Sequence, residues 1–311
     1  MRVCDAHCDT LYNLVNTPGS ANDITMERLQ AGSVALQVMA MYVGPKAPLE
    51  ETEALFEKML AAFEGLKAQG WVQAMDPSEA VDGQVKVMLS IEGCEVFERG
   101  LESIQRYRDL GVRMAAVTWN HENGLATPHC VNATDGLKPY GLQAIKEMQR
   151  LKIAVDISHL NEAGVNDILT KTDVPPMASH SCCRAIKDHT RNLTDEQLKA
   201  LFRAGGFVGL NFYPAFLTDG RCTLDTLVDH FDHMMAMGGE GKIGFGSDFD
   251  GIGTKPEGLD NPADFPALLD ALRRRGYSEQ QVRNANDARL QLKQQVKSIA
   301  GEAMIDYFAR I

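Results

Sequence analysis

KIGFGSDFDG, residues 242–251, decides between two folds. Its opening, Lys242–Phe245, is a short apolar run closed by glycine and polar residues, as in a buried strand. As the first turn of a doubly wound sheet, GFGSDF (244–249) would need a third glycine at position 249, where phenylalanine stands. No GxxxxGK(S/T) phosphate loop occurs elsewhere. An open doubly wound sheet is therefore the runner-up. The leading alternative puts Asp248 at the carboxyl end of the last strand of a barrel.

Seven further apolar runs share this strand character: Arg2–Ala6, Val34–Val43, Val85–Ile91, Arg113–Val117, Ile153–Ile157, Val174–Ala178 and Gly206–Phe212. Amphipathic helical patterns lie between most of them. The longest is Glu51–Gln69, with Leu55, Met59, Ala62, Phe63 and Leu66 on one stripe. Leu101–Leu110, Gly141–Leu151, Glu162–Thr170, Thr194–Ala204 and Leu224–Met237 behave likewise, and Asp195 and Glu196 make an acidic first turn after Thr194. Eight strands alternating with helices over about 250 residues predict an α/β fold, the (β/α)8 TIM barrel. No repeat, low-complexity segment or linker divides the chain. The expectation is a single domain over 1–311 with a helical, polar tail from about 279 to 311.

The bulk properties narrow the function. At 311 residues and a net charge of −11, the chain has ample material for a core and little to attract nucleic acid or an anionic membrane. No apolar run approaches the roughly 18 residues that span a bilayer, and no basic-then-apolar leader opens the sequence. Seven cysteines, an odd and scattered number, do not form a disulfide framework. Cytoplasmic localisation is expected.

The unusual polar residues fall at the carboxyl ends of the predicted strands. His7 and Asp9 follow the first, Glu92 ends the third, and His121 follows the fourth. His159 and His180 end the fifth and sixth, Asn211 and Tyr213 close the seventh, and Asp248 ends the eighth. In a barrel these ends share one face, where catalytic residues gather. His, Asp and Glu together suit a hydrolytic divalent metal such as Zn2+. Four or five ligands exceed what one open catalytic zinc needs, so two metals sharing a bridging carboxylate is the natural assignment. Asp248 is then left as a proton shuttle or an anchor for an amine.

Blander readings compete. A single strand-end histidine is more often a hydrogen-bonded structural residue than a ligand, and His129, His189, His230 and His233 are read as loop or helix-surface residues. Cys4 and Cys8 have the opposite strand parity to His7 and Asp9, so they should face the helical layer as packing residues. Cys182 and Cys183 as nucleophiles would leave the carboxylates unexplained. Arg191 is either a surface cation or a planar clamp for a substrate carboxylate.

HCDT (7–10), SIEG (90–93), TWNHENGLA (118–126), VDISHL (155–160), ASHS (178–181), RNLTDEQL (191–198) and GSDFDG (246–251) carry a resemblance. In that order and spacing they resemble the membrane (renal) dipeptidase family of zinc metallopeptidases, as a soluble, bacterial-type member. The resemblance implies a barrel of the metal-dependent amidohydrolase type with two zinc ions. His7 and Asp9 would bind one, His159 and His180 the other, and Glu92 would bridge. It further implies that Asp248 handles protons and the substrate amine, that His121 stabilises the oxyanion, and that Arg191 receives the carboxylate. Tyr213 or Asn211 would assist at the carboxylate end.

The implied substrates are free dipeptides, with a D-residue tolerated at the carboxyl-terminal position. A homodimer is a family expectation. The family's closing Gly-x-Asn segment is matched by AGEAMIDYFARI (300–311), with Ala303 where asparagine is expected. Two alternatives stand beside the dipeptidase: an amidohydrolase acting on another small amide such as an N-acyl amino acid, and a non-catalytic metal- or peptide-binding barrel.

Overall fold

Eight parallel strands close on themselves. The computed structural model describes residues 2–172, 175–277 and 303–311. Among these, the strands are β1 (Val3–Asp5), β2 (Val34–Tyr42), β3 (Val72–Gln73), β4 (Lys86–Glu92), β5 (Met114–Ala116), β6 (Ala154–Asp156), β7 (Met177–Ser181), β8 (Phe207–Leu210) and β9 (Ile243–Phe245). The order β2-β1-β9-β8-β7-β6-β5-β4 is closed by β4 pairing back onto β2, Leu36↔Lys86 through Tyr42↔Glu92. β3 is an addition the sequence did not suggest, lying against the first residues of β4. Helices α1 (Thr10–Asn16), α2 (Met26–Ala31), α3 (Leu49–Ala68), α4 (Leu101–Asp109), α5 (Pro139–Arg150), α6 (Glu162–Lys171), α7 (Asp195–Ala204), α8 (Pro214–Leu217), α9 (Leu224–Ala236) and α10 (Phe265–Arg275) connect or follow the strands. This is a (β/α)8 TIM barrel.

The period-two alternation of each strand sorts its side chains into two layers. On β4, Val87, Leu89 and Ile91 join the core beneath the helices, where Phe56 and Phe63 of α3 also pack. The inward residues run Met88, Ser90, Glu92, apolar at the base and polar at the mouth. Leu36 and Val38, Met88, Met114, Ala154, Met177 and Phe207 fill the base from successive strands. A last helix, Ala303–Phe308, puts Met304, Tyr307 and Phe308 onto this inner cluster, and the Tyr307 hydroxyl donates to the Pro175 carbonyl at 2.8 Å. The tail was expected to be polar. Its described end is instead an apolar plug for the base, each such side chain contributing about 1.5–3 kcal/mol by burial. The rest of the expected tail, 279–302, lies outside the described residues.

The strand ends shift by up to three residues from the expected runs, and two of these shifts bear on the site. The sixth barrel strand begins at Met177, after Pro175 and Pro176, which cannot donate to a ladder. His180 therefore lies within β7 rather than at its end. β1 stops at Asp5, so strand alternation does not run on to His7 and Asp9. Cys4 accordingly packs in the inner cluster, not against the helical layer as parity predicted, whereas Cys8 does join the outer core.

Candidate metal centre

Five strand ends bring the predicted acids and imidazoles together. Nε2 of His7 lies 3.7 Å from Asp9 Oδ2, 3.6 Å from Glu92 Oε2 and 3.8 Å from Asp248 Oδ1. The other oxygen of Glu92 lies 3.0 Å from His159 Nε2 and 3.4 Å from His180 Nε2. These two nitrogens are 3.1 Å apart. Glu92 thus stands between two groups, His7 with Asp9 and His159 with His180. Three triads, His7–Asp9–Glu92, Glu92–His159–His180 and His7–His180–Asp248, each have ligand atoms close enough to share one ion.

The donor set fits divalent cations. His7 Nε2 and Asp9 Oδ1 are buried without a hydrogen-bond partner, an arrangement that is costly unless something else satisfies them. His159 Nδ1 lies 2.9 Å from Asn120 Oδ1, and His180 Nδ1 lies 2.7 Å from Ser179 Oγ. With the hydrogen on Nδ1, both rings turn an Nε2 lone pair toward Glu92, the orientation that partners of metal-ligating histidines enforce.

The electrostatics agree. Burial, with Arg191 and other histidines nearby, pushes His159 and His180 well below the ordinary histidine pKa, so both are neutral and able to ligate. Burial also opposes charge on His7, but Glu92, Asp9 and Asp248 outweigh it and lift its pKa to about 10. Burial raises Glu92 well above the carboxylate range. It raises Asp248 to about 6, reinforced by Asp9 and offset by His7, Asn211 and Arg191.

A cavity of about 350 Å3 opens onto this cluster, lined by Asp9, Glu92, His159 and Asp248 and also by Arg191 and Tyr213. Arg191 is 4% exposed, its Nη2 donates to the His180 carbonyl at 3.3 Å, and its guanidinium sits 5.4 Å from the centre of the Phe216 ring. Its Nε is buried without a partner, and among the described residues no carboxylate pairs with it. Burial lowers its pKa, with Asp248 and Glu92 opposing, yet a guanidinium stays charged. A buried cation facing a cavity without a counter-ion is suited to an incoming anion.

Not every predicted residue lies at this cavity. Asn211 is buried behind it, donating from Nδ2 to Asp248 Oδ2 at 3.1 Å and accepting from the Tyr213 amide, so it holds Asp248 rather than the carboxylate end. His121 is set apart. Its Nε2 lies 3.0 Å from Glu95 in a neighbouring cavity of about 310 Å3. From the same loop, Trp119 and Asn120 face the first cavity. His230 is a core residue rather than a surface one, accepting from the Cys183 amide and lying 2.9 Å from the Leu217 carbonyl.

Sequence reasoning missed the aromatic wall. Tyr12, Tyr42 and Trp119 line the cavity in a row, with successive ring centres 4.7 Å apart. Tyr42 ends β2 in register with Glu92, so the strand-end rule would have found it had it been applied to aromatic residues. His159 and Asp248 adopt left-handed backbone, φ 69° and 64°. That costs about 1–2 kcal/mol for a residue other than glycine and is concentrated at functional sites.

Known proteins share this chain's sequence and architecture. The family model of membrane dipeptidase (Peptidase family M19) matches residues 1–300. An uncharacterized dipeptidase of Schizosaccharomyces pombe is 35% identical over 196 residues, covering 60% of this chain and 47% of that protein. An uncharacterized Klebsiella pneumoniae protein from the pqqA 5′ region is 35% identical over 234 residues, 71% of this chain and 86% of that one. Dipeptidase 3 of Rattus norvegicus is 27% identical over 280 residues, 83% of this chain and 55% of that protein. The chain spans about half the length of the fission yeast and rat relatives.

Among solved structures, a metallo peptidase from Rhodobacter sphaeroides, liganded with a phosphinate mimic of the dipeptide L-Ala-D-Ala, superposes with a TM-score of 0.85 at 26% identity. The superposition covers 100% of this chain and 99% of that one. No helix among the described residues is long and apolar enough to cross a membrane. With the match running through every strand end that carries the acids and imidazoles described above, the chain belongs to the membrane dipeptidase family, peptidase family M19.

Proposed function

We propose that this chain is a metal-dependent dipeptidase that hydrolyses the peptide bond of free dipeptides, including those with a D-residue at the carboxyl-terminal position. The observation that carries the reading is Glu92, whose two oxygens face two separate ligand groups. His7 and Asp9 would hold one zinc ion, His159 and His180 a second, and Glu92 would bridge. When bound, such a pair of cations activates water and polarises a carbonyl.

The remaining steps belong to this chain's own side chains. Asp248, raised to about 6 and held by Asn211, is poised to carry a proton to the leaving amine near neutral pH and to hold the substrate's free amine. Arg191 receives the terminal carboxylate, with Tyr213 and Phe216 forming the wall beside it. A site that binds both ends of its substrate measures length, so dipeptides fit and longer peptides do not. His121 has no part in this reading, because Glu95 engages its ring in the neighbouring cavity. The phosphinate dipeptide mimic bound by the Rhodobacter sphaeroides relative supports the substrate class.

The test combines metal analysis of purified protein with hydrolysis of an L-L and an L-D dipeptide, their carboxyl-terminal amides and N-blocked forms, before and after chelation. The expected result is metal-dependent cleavage of the free dipeptides, with amides and N-blocked forms strongly disfavoured. Activity that survives thorough metal removal would sink the mechanism. Efficient cleavage of N-blocked substrates would point to an N-acyl amino acid amidohydrolase instead.

A further inference from the structure

Two buried aspartates outside the ligand set share one arrangement. Asp5 is 0% exposed and sits at the end of β1, two residues before His7. Its carboxylate accepts from the Ser247 amide at 2.8 Å, the Ser247 hydroxyl at 2.5 Å, Gln37 Nε2 at 2.9 Å and, more weakly, the His7 amide at 3.5 Å. Ser247 immediately precedes Asp248. Its hydroxyl also lies 3.2 Å from the His7 carbonyl, which in turn accepts from the Asp248 amide at 3.2 Å. The segment carrying His7 and Asp9 is thereby tied to the segment carrying Asp248.

Asp156, 1% exposed at the end of β6, repeats the device. Its Oδ1 accepts from the Ser158 amide and from the Ser179 amide of β7, both at 2.9 Å. The Ser158 hydroxyl accepts from the His180 amide at 3.2 Å, and the Ser179 hydroxyl lies 2.7 Å from His180 Nδ1. Here the segment carrying His159 is tied to the strand carrying His180. Each clamp precedes a residue in left-handed backbone, Asp248 in the first and His159 in the second. Such conformations persist only where surrounding bonds over-determine them.

We infer that Asp5 and Asp156 are positioning residues for the metal centre, each fastening two adjacent strand ends so that the ligand atoms they carry are held at binding separation. The inference rests on the proposed metal site. Neither aspartate faces the cavity, so neither touches substrate. Each acts through backbone amides and serines of the two strand ends it joins, Ser247 for Asp5 and Ser158 with Ser179 for Asp156, as partners beyond the ligands do in other metal sites.

The test measures zinc affinity, by competition with a chromophoric chelator, for the wild type and for Asp5→Asn, Asp156→Ala and the milder Ser247→Ala. Melting of each metal-free protein is followed alongside. Asp5→Asn sets an amide donor against donors already aimed at the carboxylate, and Asp156→Ala removes the acceptor of two amides. The expected outcome is a loss of about 10- to 100-fold in zinc affinity for the first two variants. Ser247→Ala should lose less. Adding it to Asp5→Asn should cost little more, because both break one clamp. Folded variants that bind zinc as tightly as wild type, with only their metal-free melting lowered, would show a purely structural role and overturn the inference. Ser247→Ala decides the matter for the first clamp if Asp5→Asn does not fold. Wild-type protein that binds no zinc would instead defeat the metal-site reading itself.

Discussion

At the scale of single residues, Asp248 closes one of the three triads, and a substitution there tells a proton carrier from a ligand. Its carboxyl is raised by burial to about 6 and is anchored by Asn211. Asp248→Asn keeps the shape and removes the proton carrier, so kcat should fall about 10²- to 10⁴-fold, the usual worth of a general acid–base group. Zinc content should stay near the wild-type value, and a variant that lost both together would make Asp248 a ligand. A second prediction concerns the carboxylates crowded around His7. Cations that bind only the folded chain stabilise it by mass action, about 2.7 kcal/mol for a site at one hundred times its Kd. Chelation should therefore lower the melting temperature, and re-addition of Zn2+ should restore it. Glu92, His159 and His180 were legible in the sequence because strand ends of a barrel share one face. His121 was misplaced because it sits in a loop, where chain direction is set by tertiary contacts such as its pairing with Glu95.

At the scale of elements, the loop that delivers Arg191 is fastened by the helix that follows it. Thr194 Oγ1 accepts from the Gln197 amide at 3.2 Å, and Gln197 Oε1 accepts from the Thr194 amide at 3.0 Å, closing a capping box. Gly205 ends α7 at φ 87°, a left-handed cap that glycine adopts without penalty. Thr194→Ala should cost about 1 kcal/mol of stability, read from urea unfolding. If the cap also fixes the clamp, the KM for free dipeptides should rise while zinc affinity holds. An unchanged KM would confine the cap to stability. This helix start was readable from Thr194, Asp195 and Glu196. The short α1 and α2 were not, since neither is long enough for a helical period to emerge. The start of β7 was misjudged by three residues because Val174 reads as strand while the prolines after it cannot join a ladder.

At the scale of the whole molecule, the barrel has a polar mouth and an apolar base, and the two tolerate change differently. The helix Ala303–Phe308 was expected to be polar because the segment before it is, yet its Met304, Tyr307 and Phe308 complete the inner cluster. No local pattern could reveal that, since the surface it covers is built from seven separate strands. Tyr307→Ala should destabilise the protein by about 3–5 kcal/mol, as for other buried aromatics. Tyr307→Phe removes only the hydroxyl bonded to the half-buried Pro175 carbonyl and should cost about 0.5–1.5 kcal/mol, the net worth of one hydrogen bond. In a TIM barrel this end carries stability and the opposite end carries chemistry. Both variants, assayed below their unfolding transitions, should therefore keep wild-type zinc affinity and kcat/KM per folded molecule. A drop in either quantity for Tyr307→Phe would mean that the base and the mouth are coupled through the strands.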